Sequence, residues 1–328
     1  MSKGQNIHSP KQLLGRIQKE IETISFRCLC QNCYSSAILS HSQQKEKQLR
    51  AIAKDGLVYA LNKNIYQHIK SISRDKATSL LIKTGIKEAS TFKGYCSFHD
   101  ELIFRPIEKT PLSPSDMEQA ALLFLRAISY EYAAKRKVFN LHEMLKDMIG
   151  DNTNERLENL NAYIGGIELY LKREGPFLLN QIFDIITKKD YGSFYTSWIR
   201  HPHTLPISVT TSVCPWLNNY YRKWSPDNPQ AVVSFSVIPS NNYTDVVCSW
   251  LNYCHNDSLW IQKEMKSIEG LEKVINMFGI SESEDFCVNI DFWESLEEGT
   301  KQEVIFNMHH SMHKGPTVDV PLIIKLRN

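Results

Sequence analysis

Between residues 10 and 24 the apolar positions Leu13, Leu14, Ile17, Ile21 and Ile24 fall three and four apart, which predicts an amphipathic helix. Ser9 is its expected N-cap and Pro10 its first helical residue, where a missing N–H does no harm. A second, short helix is predicted from Gln43 to Asp55, with Leu49, Ile52 and Ala53 on one side and Gly56 closing it. Leu57 to Leu61 suits a short strand. A helix is expected to start at His99 and to stop at Pro106. Further on, Ser113-Pro114-Ser115-Asp116 reads as a helix start: Ser113 caps, Pro114 fits the first position and Asp116 closes a capping box. Leu122, Leu125, Ile128, Tyr132, Val138, Leu141, Leu145 and Met148 then keep one side of a long helix apolar. A return helix is predicted from Asn154 to about Arg173, interrupted at Gly175-Pro176, with a third over 177–187. The block 114–190 is thus a helical hairpin or small bundle. From Leu205 the texture changes. Residues 205–213, 231–238, 245–250 and 321–326 are β-branched or alternating and read as strands. Ser258 to Phe278, closed by Gly279, and Asp291 to Met308 read as helices. The expected class is α+β, in three parts: a mixed module over 1–110, a helical hairpin or bundle over 111–200 and an α+β sheet module over 201–328.

Composition narrows the class without changing that picture. A chain of 328 residues, 42% apolar and 23% charged, suits two or three folded modules and excludes a disordered or fibrous one. It holds no run of eighteen apolar residues, so no membrane helix is expected, and its first thirty residues lack the apolar core of a secretion signal. Eight unevenly spaced cysteines point to a reducing compartment, the cytoplasm, with some thiols held for metal. Net charge is only +2, but it is unevenly placed. Residues 1–110 carry 18 Lys+Arg against 9 Asp+Glu, a balance of +9, and residues 111–328 carry 20 against 27. A basic module attracts phosphate through counterion release, so nucleic acid is the expected partner.

The cysteines sit in that basic part. Cys28-Leu-Cys30-Gln-Asn-Cys33 is answered by Cys96-Ser-Phe-His99-Asp100. Zn²⁺ takes four N or S ligands at tetrahedral angles, and a C-x-x-C turn facing a C-x-x-H supplies them. Three sulfurs compete for the first two places. The usual spacing favours Cys30 and Cys33 with Cys96 and His99, leaving Cys28 spare. Between the two half-sites stands His41, in Ser40-His41-Ser42.

Over residues 28–105 this arrangement resembles the treble-clef, ββα-like module of HNH-type nucleases. That family has a zinc knuckle, a histidine ending a strand, and a second knuckle followed at once by a metal-binding residue. The resemblance implies that Cys30, Cys33, Cys96 and His99 hold a structural Zn²⁺, with His99 replacing a cysteine. It implies that His41 is the general base and that Asp100, where the family has a histidine, holds Mg²⁺ or Mn²⁺ at the scissile phosphate. The family's mid-motif Asn falls near Thr91, where this chain has none. The stretch is also similar to uncharacterised bacterial proteins that share Ser40-His41, Gln44, Ile52-Ala53, Gly56, Val58-Tyr59, Gly94, Cys96 and His99-Asp100. The expected function is therefore a metal-dependent HNH-like nuclease, by association an anti-phage effector. The alternative is a non-catalytic, zinc-stabilised protein that binds nucleic acid or a protein partner. The central helices would serve assembly, as a homo-oligomer or with a partner protein.

Two further groups are weaker. His309 and His313 lie four apart but enclose no Glu of a metalloprotease motif, and read as a solvated helix end. Trp216, Tyr220, Tyr221, Arg222 and Trp224 read as a packed corner before a stacking surface.

Overall fold

Seven strands from distant parts of the chain pair into one antiparallel sheet, in the order β3-β2-β9-β6-β7-β8-β5. They are β2 Leu57–Leu61, β3 Leu81–Gly85, β5 Phe194–His201, β6 Ile207–Val213, β7 Val233–Pro239, β8 Thr244–Leu251 and β9 Phe286–Val288. β1 Leu39–His41 and β4 Thr91–Lys93 form a separate antiparallel pair. The computed structural model describes residues 10–62, 80–149, 164–215, 229–314 and 322–326. The Trp216–Trp224 group, the first half of the return helix from Asn154 and the side chains of His309 and His313 lie outside the described residues. Mixed helix and sheet, the expected class, is what the chain forms, and the sheet draws strands from all three expected parts.

Residue alternation explains how the sheet is covered. One face carries Val209, Val233, Phe235, Val237, Val246, Cys248 and Trp250, all at most 1% exposed, in a core with Leu271, Val274 and Phe278. The opposite face carries Ser208, Thr210, Ser234, Ser236 and Ser249, also buried. The long helix Met117–Ile149 crosses this second face with Ala120, Ala121, Phe124 and Ile128. Hydroxyl side chains leave room for a helix to lie close, and Ile238, Val247 and Leu251 on the same face supply apolar area whose burial drives the layers together. The bidentate bond of Arg200 to Asp245 (2.8 and 2.9 Å), joined by Trp198 Nε1 (2.9 Å), locks β5 to β8.

Several boundaries differ from expectation, each for a local reason. The helix Pro10–Thr23, α1, is present, with Ile17 and Ile21 buried. The second helix is a widened turn Lys45–Leu49 running into α2, Arg50–Ile52. Gly56 does not cap it. Asp55 (φ 51°) and Gly56 (φ 75°) form a two-residue hairpin turn, across which Lys54 and Leu57 exchange two main-chain bonds. Asp-Gly favours that turn because both positions need positive φ. Pro106 sits inside the helix α3, Ser97–Glu108, in its last turn. The long helix, α4 (Met117–Ile149), is capped by Asp116, whose Oδ1 accepts from the Gln119 N–H at 3.0 Å, and not by Ser113. Gly175-Pro176 does not break the return helix. Residues 164–169 continue through a widened turn, Tyr170–Glu174, into α5, Gly175–Lys188. A Cβ at Gly175 would stand 2.5 Å from the Tyr132 ring, so this glycine is a contact point between α4 and α5. The helix expected over 258–278 is two, α6 His255–Glu264 and α7 Ile268–Val274, split where Ser267 caps the second. That over 291–308 is likewise α8 Ile290–Ser295 and α9 Glu298–Lys314. Residues 322–326 are not a strand; Asn276 Oδ1 accepts from both Ile323 and Ile324 N–H at 2.9 Å.

Three carboxyls are folded into this packing in unfavourable surroundings. Burial raises Glu174 and Glu284 to about 7, with Glu131 pushing up and Lys135 pulling back, and burial alone raises Glu282 to about 8. Unfolded, each loses its proton near ~4.3. Between the two values the folded chain binds more protons than the unfolded one, so stability falls as pH rises. Thermal melts are expected to show a midpoint that drops from about pH 5 to about pH 8, and Glu282→Gln to flatten the upper end of that slope. A midpoint that climbs through this window would contradict the burial of these groups.

Candidate metal centre

The first half-site is a tight hairpin. The Cys28 N–H bonds Ser35 O at 3.0 Å, Arg27 bridges to Ser36, and the Cys33 N–H turns back to Cys30 O at 3.2 Å. Asn32 closes the turn with a φ of 59°, a left-handed conformation that Asn tolerates better than most residues. Two main-chain bonds strap the hairpin to the second half-site: Leu29 N–H to Gly94 O (2.8 Å) and Ile38 N–H to Tyr95 O (2.7 Å). Gly94 is needed there because a Cβ would lie 2.3 Å from the Phe92 ring. The next residue but one, Cys96, stands immediately before α3, and His99 lies in that helix's first turn.

These straps bring Cys28, Cys33, Cys96 and His99 together, their donor atoms all within 4.8 Å of one another. Cys33 Sγ stands 3.9 Å from Cys96 Sγ, and His99 Nδ1 stands 3.2 Å from Cys96 Sγ and 3.6 Å from Cys28 Sγ. The edge of a ZnS₄ tetrahedron is ~3.8 Å for a Zn–S bond of ~2.3 Å, so the spacing fits that ion. Three sulfurs and one imidazole nitrogen are also a structural zinc donor set. Burial pushes the Cys28 thiol up to about 11, whereas main-chain hydrogen bonding at Ser35 lowers that of Cys33. Metal would have to displace the Cys28 proton, which makes loading pH-dependent.

The group differs from the expected one at a single place. Cys28 belongs to it and Cys30 does not. Cys30 opens the turn, and its thiol is raised by burial and by the nearby Cys33 and Cys96. The knuckle therefore uses its first and third cysteines. Spacing alone favours the C-x-x-C pair; which sulfurs join the group is set by the hairpin, in which Cys28 stands opposite Ser35 and Cys33 turns back to Cys30.

His41 and Asp100 are not brought to a common point. His41 ends β1, and its Nε2 donates to Ile86 O at 3.2 Å. Asp100 lies in the first turn of α3 and is held mostly inside. Burial raises its carboxyl, while Ser40 and Arg126 favour the charged form and Glu108 opposes it. Neither Asp100 Oδ1 nor Ser40 Oγ completes a hydrogen bond, although the two residues feel each other. Adjacent strand residues point to opposite faces. Ser40 and Asp100 therefore share one face of β1 and His41 takes the other, where the acid that feels it is Glu46.

The polar residues around His41 have a structural use. Ser42 Oγ bonds Asp285 Oδ2 and Ser90 O (2.8 Å), and Gln43 Nε2 bonds Asp285 O at 2.8 Å. The Gln43 N–H reaches Ser90 Oγ at 3.3 Å, and Gln44 Nε2 bonds Ile107 O. Ser90 presents both its oxygens from a strained backbone (φ 51°). This network ties the β1–β4 pair to the segment that enters β9. No family model, no curated protein and no solved structure matches the chain. Among the described residues no helix is long and apolar enough to cross a membrane.

Proposed function

We propose that this chain is a nucleic-acid-binding protein whose N-terminal, treble-clef-like module is organised by a structural zinc ion held by Cys28, Cys33, Cys96 and His99. The observation that carries the reading is the closed donor set: four protein ligands, three of them thiolates, leave no position for water or substrate. The ion's contribution is to hold the knuckle against α3, because the ligands belong to segments more than sixty residues apart. The excess of 18 basic over 9 acidic residues in 1–110 supports a phosphate-bearing partner.

The competing reading is HNH-like cleavage, with His41 as base and Asp100 as the ligand of Mg²⁺ or Mn²⁺. It is favoured by the unpaired Asp100 Oδ1, which a cation would satisfy. It is opposed by the opposite facing of His41. One experiment separates the two. Plasmid is incubated with the wild-type protein, His41→Ala and Asp100→Ala in Mg²⁺ and in Mn²⁺, and binding is followed in parallel by mobility shift. The expected result is binding by all three proteins and cleavage by none. Cleavage lost in both variants would overturn the binding-only reading in favour of the nuclease.

A further inference from the structure

The rim of the metal centre exposes side chains that the fold does not use. Tyr34 follows the ligand Cys33 and is 79% exposed; Phe98 precedes the ligand His99 and is 66% exposed. The ligand atoms of Cys33 and His99 lie within 4.8 Å, so the two rings flank one centre. Both are braced. The Arg27 guanidinium carbon sits 3.7 Å from the centre of the Tyr34 ring, and its Nε–H is fixed to Cys33 O at 2.8 Å. Phe98 rests edge-on against the His99 ring, 5.2 Å between centres. Along α3, Leu102 and Arg105 follow Phe98 at four and seven residues, on the same exposed side. Among the described residues no carboxylate forms an ion pair with Arg27 or Arg105.

Exposed apolar side chains grouped around one rigid centre, as Tyr34, Phe98 and Leu102 are, and rimmed by polar residues, mark an interaction surface. What covers these should carry flat apolar faces and negative charge, because the rings are accompanied by two unneutralised arginines in the basic part of the chain. We infer that this rim is a stacking platform for single-stranded nucleic acid, with bases on Tyr34 and Phe98 and phosphates at Arg27 and Arg105. The inference rests on the nucleic-acid reading above and specifies its ligand. In a duplex the base faces are occupied by their neighbours, so single strands are preferred. Rings and aliphatic chains do not read a 2′-hydroxyl, so DNA and RNA bind alike. Glu101, exposed between Phe98 and Arg105 on α3, opposes the phosphates.

The test is fluorescence anisotropy with labelled oligothymidylate, oligouridylate and a duplex of equal length. Tyr34→Ala and Phe98→Ala are each expected to weaken single-strand binding about tenfold, in the range of one base stack. Tyr34→Phe keeps the ring and restores binding, and Glu101→Gln tightens it. Zinc content, measured alongside, stays at the wild-type level in each variant, which separates surface loss from unfolding. Single-strand binding that ignores Tyr34→Ala and Phe98→Ala would overturn the platform and leave nucleic-acid binding standing elsewhere. Equal preference for the duplex would do the same. No binding to any of the three probes would overturn both readings together.

Discussion

Replacing Cys28 by serine is expected to empty the metal centre, whereas replacing Cys30 leaves it filled. The two cysteines differ by one turn of hairpin. Cys28 Sγ already lies 3.6 Å from His99 Nδ1, the separation of two donors on one small ion, and Cys30 is not in the group. A serine hydroxyl is a poor zinc ligand, and a site with two thiolates and one imidazole loses most of an apparent affinity on the order of 10 kcal/mol. The consequence extends past the ion. Cys28 and Cys96 are buried with Tyr95, Phe104 and Leu125, so the emptied site opens onto the core beneath α3 and α4. Zinc per chain, measured by plasma mass spectrometry after gel filtration, should read near one for the wild type and Cys30→Ser and near zero for Cys28→Ser. Chelator should lower the melting midpoint of the first two and leave the third unmoved. The opposite pattern would restore the C-x-x-C assignment.

That distinction shows where reading the sequence stops. Local signals survived folding well. Ile17 and Ile21 are buried as the helical spacing required, β2 has the expected limits, and the alternation in 207–213 and 233–239 does mark strands. What alternation could not show was what covers the second face. Ser208, Thr210 and Ser236 are polar, yet a helix drawn from another part of the chain lies over them. β5 was hidden for a related reason. Phe194, Thr196, Trp198 and Arg200 share a face, but their strand exists through its ladder with residues 244–251 and through the Arg200–Asp245 pair. β9, three residues long, is too short to show a period and is fixed between β2 and β6. At the site, residue types and three of the four clustered residues, Cys33, Cys96 and His99, were legible. The choice between Cys28 and Cys30 was not, because it depends on the hairpin closed by Asn32. Nor was the facing of His41, whose neighbour Ser42 is drawn inward by a partner as distant as residue 285.

Removing the Asp285 carboxylate is expected to loosen the same site from the opposite end of the sequence. Asp285 is 3% exposed and accepts from Ser42 Oγ, while its main chain accepts from Gln43 Nε2 and donates to Ser283 Oγ. Asp285→Ala deletes a charged acceptor and leaves space where it stood. A hydrogen bond to a charged group contributes about 1.5–3 kcal/mol, and that is the expected loss in urea unfolding. Ser42→Ala deletes the same bond from the other side, although Ser42 also bonds Ser90 O, so its own effect should be somewhat different. The double variant is then informative. If the two groups act as one contact, their losses should fall short of adding by 0.5 kcal/mol or more, within the ~0.5–3 kcal/mol found for residues in contact. Strict additivity would mean that the β1 segment is held by Ser90 and Gln43 alone. Coupling would have a further consequence for the metal. β1 is paired to β4, and β4 leads through Gly94 and Tyr95 directly to Cys96. A looser β1 should therefore release zinc faster to a chelating dye in Asp285→Ala than in the wild type, although no ligand has been touched.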